Sequence, residues 1–191
     1  MTKVSTKSNR QENELDSQII QTKNDIPESA LQSIKSALSK PSDIYKLFFL
    51  FSKKLNKFIS ISRSSMILHS QQENKLKMIA MKSKKGARKG LALTLPENGS
   101  LLYKVFNKGK LYIQHYPKNT ECNFIEQKIL KDKTALSMAI LPIVQNNINY
   151  GLICLSSLDQ DAFISLENGL FDEILDGFGK NLIQRIPSTN I

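Results

Sequence analysis

Residues 136–157, LSMAILPIVQNNINYGLICLSS, give the strongest indication of the fold of this chain. It holds two almost wholly apolar runs, Ser137–Val144 and Tyr150–Ser156, on either side of the polar segment 145–149. Two such runs around a short polar turn predict a β-hairpin. Strands that are apolar on both faces are typical of a sheet covered on both sides. We therefore expect helices on both faces of the sheet to which this hairpin belongs.

The hydrophobic periodicity of the remaining sequence predicts the other elements. Apolar residues recur at helical spacing from Ile44 to Ile59, behind Ser42 or Asp43 as the capping residue, and a long C-terminal helix follows Ser165 as its N-cap. The shorter predicted elements are a helix at 28–39, a hairpin of 65–70 with 76–81, strands at 91–95 and 111–115, a helix between Gly99-Ser100 and Gly109, and a helix at 124–130. This order predicts an α+β fold: a central antiparallel sheet with terminal helices on one face and middle helices on the other.

The length of 191 residues and the 40% apolar composition are those of one ordinary domain with a tail. We expect a disordered polar tail over residues 1–25, an N-terminal helix over 26–41, one domain over 42–186 and a C-terminal tail over 187–191. The strongest apolar run, Leu47–Phe51, is far shorter than the ~20 residues of a membrane span. With no secretory signal in the first twenty residues, the chain is predicted to be cytoplasmic and to have no membrane contact.

The formal charge of +10 is unevenly distributed. Residues 64–90 carry +6, whereas residues 136–191 carry −4. The densest basic stretch, residues 82–90, has two glycines and Ala87 as its one apolar residue, which predicts a loop. Four of its side chains are candidates for an anion-binding loop: Lys84, Lys85, Arg88 and Lys89. The alternative is a solvated loop in a lysine-rich chain, since the stacking aromatics of nucleic-acid binders do not occur between Ile79 and Leu102.

The chemistry-bearing residues are few. Cys122 and Cys154 form no Cys-x-x-Cys pair, and the two histidines lack metal-ligand spacing, so neither a metal nor a cofactor is predicted. No stretch combines a nucleophile, a base and an orienting group, and no phosphate-binding glycine loop is present. The chain is therefore predicted not to be an enzyme.

Four stretches in this order resemble a GAF domain, and the match covers about residues 42–184. Ser62–Leu68 is similar to the family's first strand, and Leu91–Pro96 with Gly99–Lys110 to its extended segment, helix and Gly-Lys stretch. Phe124–Leu130 is similar to the helix before strand five, and the hairpin quoted above to the closing hairpin. The resemblance implies a GAF- or PAS-like fold in a small stand-alone protein.

The resemblance also implies a sensory or regulatory module, since GAF domains bind small ligands or mediate dimerisation. The family's ligands lie between the sheet and the middle helices, and six residues map to that pocket: Leu93, Tyr112, His115, Phe124, Ile129 and Met138. We expect a small ligand there, with anionic character if the basic loop overhangs the pocket. We also expect a homodimer through the two long helices, at Phe49, Leu50, Leu182 and Ile183. Because about seven residues follow the match, signalling is expected to pass through a partner protein.

Two alternatives stay open. The same six residues are more simply interpreted as core packing, in which case the domain is a dimerisation scaffold with a filled pocket and no ligand. The basic charge is also compatible with a nucleic-acid-associated regulator, whose affinity would fall steeply with salt. Among GAF-fold proteins, the free methionine sulfoxide reductases need several clustered cysteines, whereas Cys122 and Cys154 are far apart in this sequence.

Overall fold

The structure, a computed structural model, describes residues 28–115, 122–130, 134–167, 169 and 172–186. The tails predicted over 1–25 and 187–191 lie outside the described residues. The helices of the described residues are, in chain order, α1 (Glu28–Leu38), α2 (Ile44–Leu55), α3 (Leu101–Lys108), α4 (Phe124–Leu130), α5 (Ile164–Glu167) and α6 (Asp172–Ile183). The strands are β1 (Arg63–Ser70), β2 (Lys75–Ser83), β3 (Gly86–Thr94), β4 (Tyr112–His115), β5 (Ser137–Gln145) and β6 (Ile148–Ser157).

The strands form one antiparallel sheet in the order β3-β2-β1-β6-β5-β4. The hairpin predicted at 136–157 is β5 with β6, and β6 lies beside β1 at the centre of the sheet. Both strands are buried along most of their length, as their two-sided apolar pattern predicts. The α+β fold class is confirmed.

Two hydrophobic clusters show which helices cover which face. The terminal-helix face joins α1, α2 and α6 to alternate strand residues such as Met66, Ala139 and Leu155. The middle-helix face joins α3 and α4 to the residues that alternate with them, such as Ile67, Met138 and Cys154. The predicted division of the helices between the two faces is therefore correct.

Helix α1 belongs to the same core as the domain that follows it. Ile34 and Leu38 are buried among the residues of α2 and α6. Lys35 forms an ion pair with Glu173 of α6. The Arg185 guanidinium, just after α6, donates to the carbonyl oxygens of Ser39 and Pro41 at 2.8 Å each. The terminal helices therefore pack as one layer.

Several helix ends follow the sequence signals. Asp43 caps α2, and Ser100 caps α3 by accepting from the backbone N–H of Tyr103. Gly109 ends α3 with φ +60°, a left-handed conformation that glycine adopts without steric cost. Helix α2 ends at Leu55, earlier than predicted, although Ile59 beyond it still reaches the core.

Two predictions of local structure are wrong. The basic segment 82–90 is a β-hairpin and not a loop: β2 runs to Ser83 and β3 begins at Gly86, because the backbone groups of 80–83 pair with those of 86–89. The long C-terminal helix is two helices, with Ser165 inside the first one and Gly169 between them at φ +71°. Glycine at that left-handed position interrupts the helical dihedrals.

Candidate functional site

The space that the resemblance assigns to a ligand, between the sheet and the middle helices, is filled by side chains. Two of the predicted pocket residues, Ile129 and Met138, are buried there. Met138 has no accessible surface, and neither do Leu102, Leu130 and Ile140 around it. A side chain with no accessible surface borders no void large enough for a water molecule. At these residues the predicted pocket is core.

The other predicted pocket residues do not converge on one site. Tyr112 pairs with Ile140 and faces the middle helices, whereas His115 pairs with Ser137 on the opposite face, since strand residues alternate. His115 Nδ1 instead donates to the carbonyl oxygen of Gln160 at 2.8 Å. The assignment of His115 to the same pocket as Tyr112 is therefore wrong.

Leu93 and Phe124 are exposed to solvent. Leu93 is 41% exposed on the edge strand β3, and Phe124 is 68% exposed. The Phe124 ring instead faces the Lys128 ammonium, whose Nζ lies 4.1 Å from the ring centroid. Phe124 and Lys128 are four residues apart and therefore share one side of α4, which is the outer side. Glu126, Ile129 and Leu130 occupy the inner side of that helix.

Glu126 is the polar centre of the middle-helix face and is fully buried. Its carboxylate accepts hydrogen bonds from the Ser100 hydroxyl and from the backbone N–H groups of Leu101 at 2.9 Å and Leu102 at 3.2 Å. These are the first, otherwise unpaired N–H groups of α3. The carboxylate therefore joins α4 to the start of α3, and its oxygens are occupied by protein donors.

The buried thiol of Cys154 lies in the same core. Burial raises the pKa of the Cys154 thiol well above its ordinary value, and the nearby Glu126 carboxylate raises that pKa further. A thiol is a weak nucleophile because only the thiolate reacts readily. Cys122, before α4, is partly exposed, and neither cysteine is in a disulfide. No group of three or more metal-ligating side chains occurs among the described residues.

A polar cleft lies on the terminal-helix side, where the end of α2 meets the start of β1 and the end of β2. Its volume is about 170 Å³. All of its lining residues are neutral or cationic: Ser52, Asn56, Ile61, Ser62, Arg63, Ser64, Lys82, Ser83 and Lys84. Of the four residues predicted to bind anions, Lys84 lines this cleft; Lys85, Arg88 and Lys89 are exposed on the same hairpin but do not line it.

The walls of the cleft are fixed by hydrogen bonds between the elements that form it. The Ser64 hydroxyl of β1 donates to the Ser52 hydroxyl of α2 at 2.9 Å. The backbone N–H of Ile61 donates to Asn56 Oδ1 at 2.8 Å, which orients the amide. Ser83 Oγ accepts from the backbone N–H of Lys85 at 3.2 Å, which shapes the hairpin turn. The accepting groups of Ser52, Asn56 and Ser83 therefore keep hydroxyl or amide hydrogens that these contacts do not use.

A second cleft, of about 230 Å³, lies at the other end of the molecule beside β5. It is mainly apolar, with Leu111, Pro142 and Val144 among its lining residues, and carries the carboxylates of Asp172 and Asp176. Hydrogen bonds from Lys180 and Gln145 lower the pKa of Asp176. The two clefts therefore differ in charge, one cationic and the other acidic.

The four residues predicted for a dimer contact divide into two groups. Leu182 is fully buried in the terminal-helix core, so it is not available to a second chain, and its assignment is wrong. Its neighbour Ile183 is partly exposed. Phe49 and Leu50 pack against the same core from outside and are also partly exposed.

Most residues of the polar cleft cannot be identified from the sequence pattern, although Ser52 gives one indication. Ser52 interrupts the apolar face of α2 and is buried beside Phe48 and Leu55, and a buried hydroxyl needs a partner. Its partner, Ser64, belongs to a different element. Glu126 carries a comparable signal, a charge on the inner side of a short helix, but its partners lie about 25 residues earlier in the chain.

The fold places the chain among known structures. A GAF domain from A. aeolicus in an inactive state superposes with a TM-score of 0.63 at 16% identity, covering 87% of this chain and 99% of that one. The GAF domain of a two-component sensor histidine kinase from Bacillus halodurans gives a TM-score of 0.55 at 18% identity, covering 72% and 94%. Free methionine-R-sulfoxide reductase from Neisseria meningitidis gives 0.57 at 13% identity, covering 82% and 90%.

These likenesses show that the chain has the GAF fold, as its sequence pattern predicts. The same fold serves signalling proteins and an enzyme, so it does not by itself select a function. No family model and no curated protein matches the sequence. Within the described part of the chain, none of the helices has the length and apolar character needed to cross a bilayer.

Proposed function

We propose that this GAF-fold chain is a non-catalytic regulatory module that acts through contacts with other protein surfaces. The observation that carries the proposal is the filled interior between the sheet and the middle helices. Met138, Ile140 and Leu102 have no accessible surface there, so this region resembles a structural core more than a ligand pocket. The likeness to GAF domains of signalling proteins supports a sensory or regulatory role.

The cysteines support the non-catalytic part of the proposal. A thiol-based sulfoxide reductase needs a reactive thiolate, whereas Cys154 is buried and its pKa is raised. The test is reduction of free methionine-R-sulfoxide with dithiothreitol, using a known reductase of this fold as positive control. We expect no product above the rate without protein. Turnover that is lost in Cys122→Ser would overturn the non-catalytic role.

The contact surface that we propose is the outer side of α2 with the end of α6, at Phe49, Leu50 and Ile183. These are partly exposed apolar residues on one layer of helices. We expect sedimentation velocity at micromolar concentration to show a homodimer and Leu50→Glu to shift it to monomer. A matched variant, Ile148→Glu, places the same charge on an exposed apolar residue at the β5–β6 turn and should remain dimeric. A monomeric wild type would overturn the homodimer.

A second candidate function, a nucleic-acid-associated regulator, rests on the basic hairpin. Lys84, Lys85, Arg88 and Lys89 are all exposed on the hairpin of β2 and β3. Binding through them would be sequence-independent and would weaken steeply as salt rises, because phosphate contacts release counterions. Fluorescence anisotropy with a 20-nucleotide single strand at about 50 and 200 mM salt measures this dependence. No binding at the lower salt concentration excludes the candidate.

A further inference from the structure

We infer that the polar cleft between α2, β1 and β2 is a binding site for a phosphate-sized oxyanion, and that its ligand is a small phosphate monoester. The site lies on the face of the sheet opposite to the filled interior. It does not depend on whether the module dimerises, so the two proposals can fail separately.

The charge of the cleft favours an anion. Lys82 and Lys84 line it, and none of its lining residues is acidic. The guanidinium of Arg63, which also lines it, donates to the carbonyl oxygen of Lys128 in α4 at 2.6 Å. Lys82 and Lys84 form no ion pair with any described carboxylate, unlike lysines elsewhere such as Lys75 and Lys77. The C-terminal end of α2 contributes only about half a negative charge, which the two lysines outweigh.

The hydrogen-bonding groups of the cleft also match an oxyanion. Ser52 already accepts from Ser64, so its own hydroxyl hydrogen can be donated elsewhere. Asn56 accepts through Oδ1 from Ile61, which leaves its NH₂ group as a donor beside the cleft. Ser83 accepts through Oγ from Lys85 and likewise retains its hydroxyl hydrogen. The donors come from α2, from its C-cap and from the end of β2.

The size of the cleft selects a small ligand. Pockets for drug-sized ligands measure about 300–1,000 Å³, whereas this cleft measures about 170 Å³. A single phosphate group with a short substituent fits the smaller volume. A terminal phosphate presents three oxygens to these donors, whereas a phosphodiester has a substituent on two of its oxygens. A monoester therefore uses the arrangement better than a nucleic-acid backbone does.

The first test is calorimetric titration of the full chain with glycerol 3-phosphate, inorganic phosphate and dimethyl phosphate at constant ionic strength. We expect one site per chain for the monoester and for inorganic phosphate, and at least tenfold weaker binding of the diester. Equal binding of the diester would overturn the monoester assignment. No binding of any of the three would overturn the site.

The second test separates a local site from the general positive charge of the chain. Lys82→Gln/Lys84→Gln removes two charges that line the cleft, and Arg88→Gln/Lys89→Gln removes two exposed charges from the same hairpin outside it. We expect the first pair to weaken phosphate binding at least tenfold, as loss of two charge-assisted hydrogen bonds requires, and the second pair to change it less than threefold. Equal losses in both variants would show diffuse attraction and overturn the site.

Amide chemical shifts give a readout that does not depend on the variants. Addition of inorganic phosphate should shift the backbone signals of Asn56, Ser83 and Lys84 and leave those of Arg88 and Lys89 in place. The reverse pattern would place the anion on the outer strand and overturn the assignment to the cleft.

Discussion

The buried carboxylate of Glu126 accepts a hydrogen bond from the backbone N–H of Leu101 at 2.9 Å, across 25 residues of sequence. The same carboxylate accepts from Ser100 and Leu102, so one side chain of α4 satisfies the start of α3. Glu126 thus determines how the two middle helices lie against each other on the sheet. No other described contact pairs these two helices through a buried charge.

Glu126→Ala should therefore be strongly destabilising. The substitution leaves two backbone N–H groups and a hydroxyl buried without an acceptor, at about 1–3 kcal/mol for each unsatisfied group, so we expect a loss of roughly 3 kcal/mol or more. Urea unfolding followed by circular dichroism measures it. Glu97→Ala is the matched control, because Glu97 makes only a surface ion pair with Lys75 and should change stability by less than about 1 kcal/mol. Equal losses of stability in the two variants would contradict a stabilising role for the buried contacts of Glu126.

Two glycines of α6 should respond to alanine in opposite directions. At Gly177 the added Cβ would lie 3.9 Å from Lys35 Cγ, an ordinary contact, so Gly177→Ala should stabilise by about 0.5–1 kcal/mol. At Gly179 the Cβ would lie 2.8 Å from Gln145 Nε2, which donates to the carbonyl oxygen and the carboxylate of Asp176. Gly179→Ala should displace that amide and destabilise by about 1–3 kcal/mol.

The unfolding midpoints of the two glycine variants in the same urea series measure this difference. The two substituted positions lie two residues apart in one helix, and both substitutions give the same gain in helix propensity. Each variant is therefore the control for the other. A stabilising Gly179→Ala would show that Gln145 moves aside without loss.

The fold could be predicted from the sequence because its determinants are local patterns. The continuous apolar runs of β5 and β6 predict strands covered on both faces, and the helical spacing of apolar residues from Ile44 predicts α2 and its buried face. Caps such as Asp43 and Gly109 are equally local, since a cap satisfies N–H or C=O groups within four residues. The layered arrangement then follows from which faces must be covered.

The candidate site could not be predicted in the same way. The residues of the polar cleft, such as Ser52, Ser64 and Lys82, come from three elements, and their proximity follows from strand register and not from spacing. The error at Phe124 has a related cause. In a seven-residue helix, a hydrophobic stripe is too short to determine which side is buried, and here the buried charge of Glu126 decides it.

The cap of α2 should make part of the stability depend on pH. Asp43 Oδ1 accepts from the backbone N–H of Lys46 at 2.8 Å, and this hydrogen bond lowers the pKa of Asp43 below its ordinary value. A carboxyl group whose pKa is lower in the folded state contributes stability above its unfolded pKa and loses it as pH falls through the folded pKa. The contribution is therefore present at neutral pH and is lost below about pH 4.

Asp43→Ala should cost about 1 kcal/mol at pH 7 and less at about pH 3, where the wild-type carboxyl is itself becoming protonated. Asp43→Asn retains a neutral acceptor at the cap and should lose only a few tenths of a kcal/mol at pH 7. Thermal unfolding of the three proteins at both pH values gives the comparison. An alanine cost that does not change with pH would contradict a charged cap.

The two thiols should differ in reactivity in the native state. Cys154 is buried in β6 between covered faces of the sheet, and burial raises its pKa, so a thiol reagent can reach it only after the core opens. Cys122 is partly exposed. Titration with Ellman's reagent at pH 8 should therefore release one equivalent from the native chain and two in denaturant. Cys122→Ser should release none until it is unfolded; rapid release of one equivalent from the native variant would show that the interior between the sheet and the middle helices is open, and would contradict the filled core on which the proposed function rests.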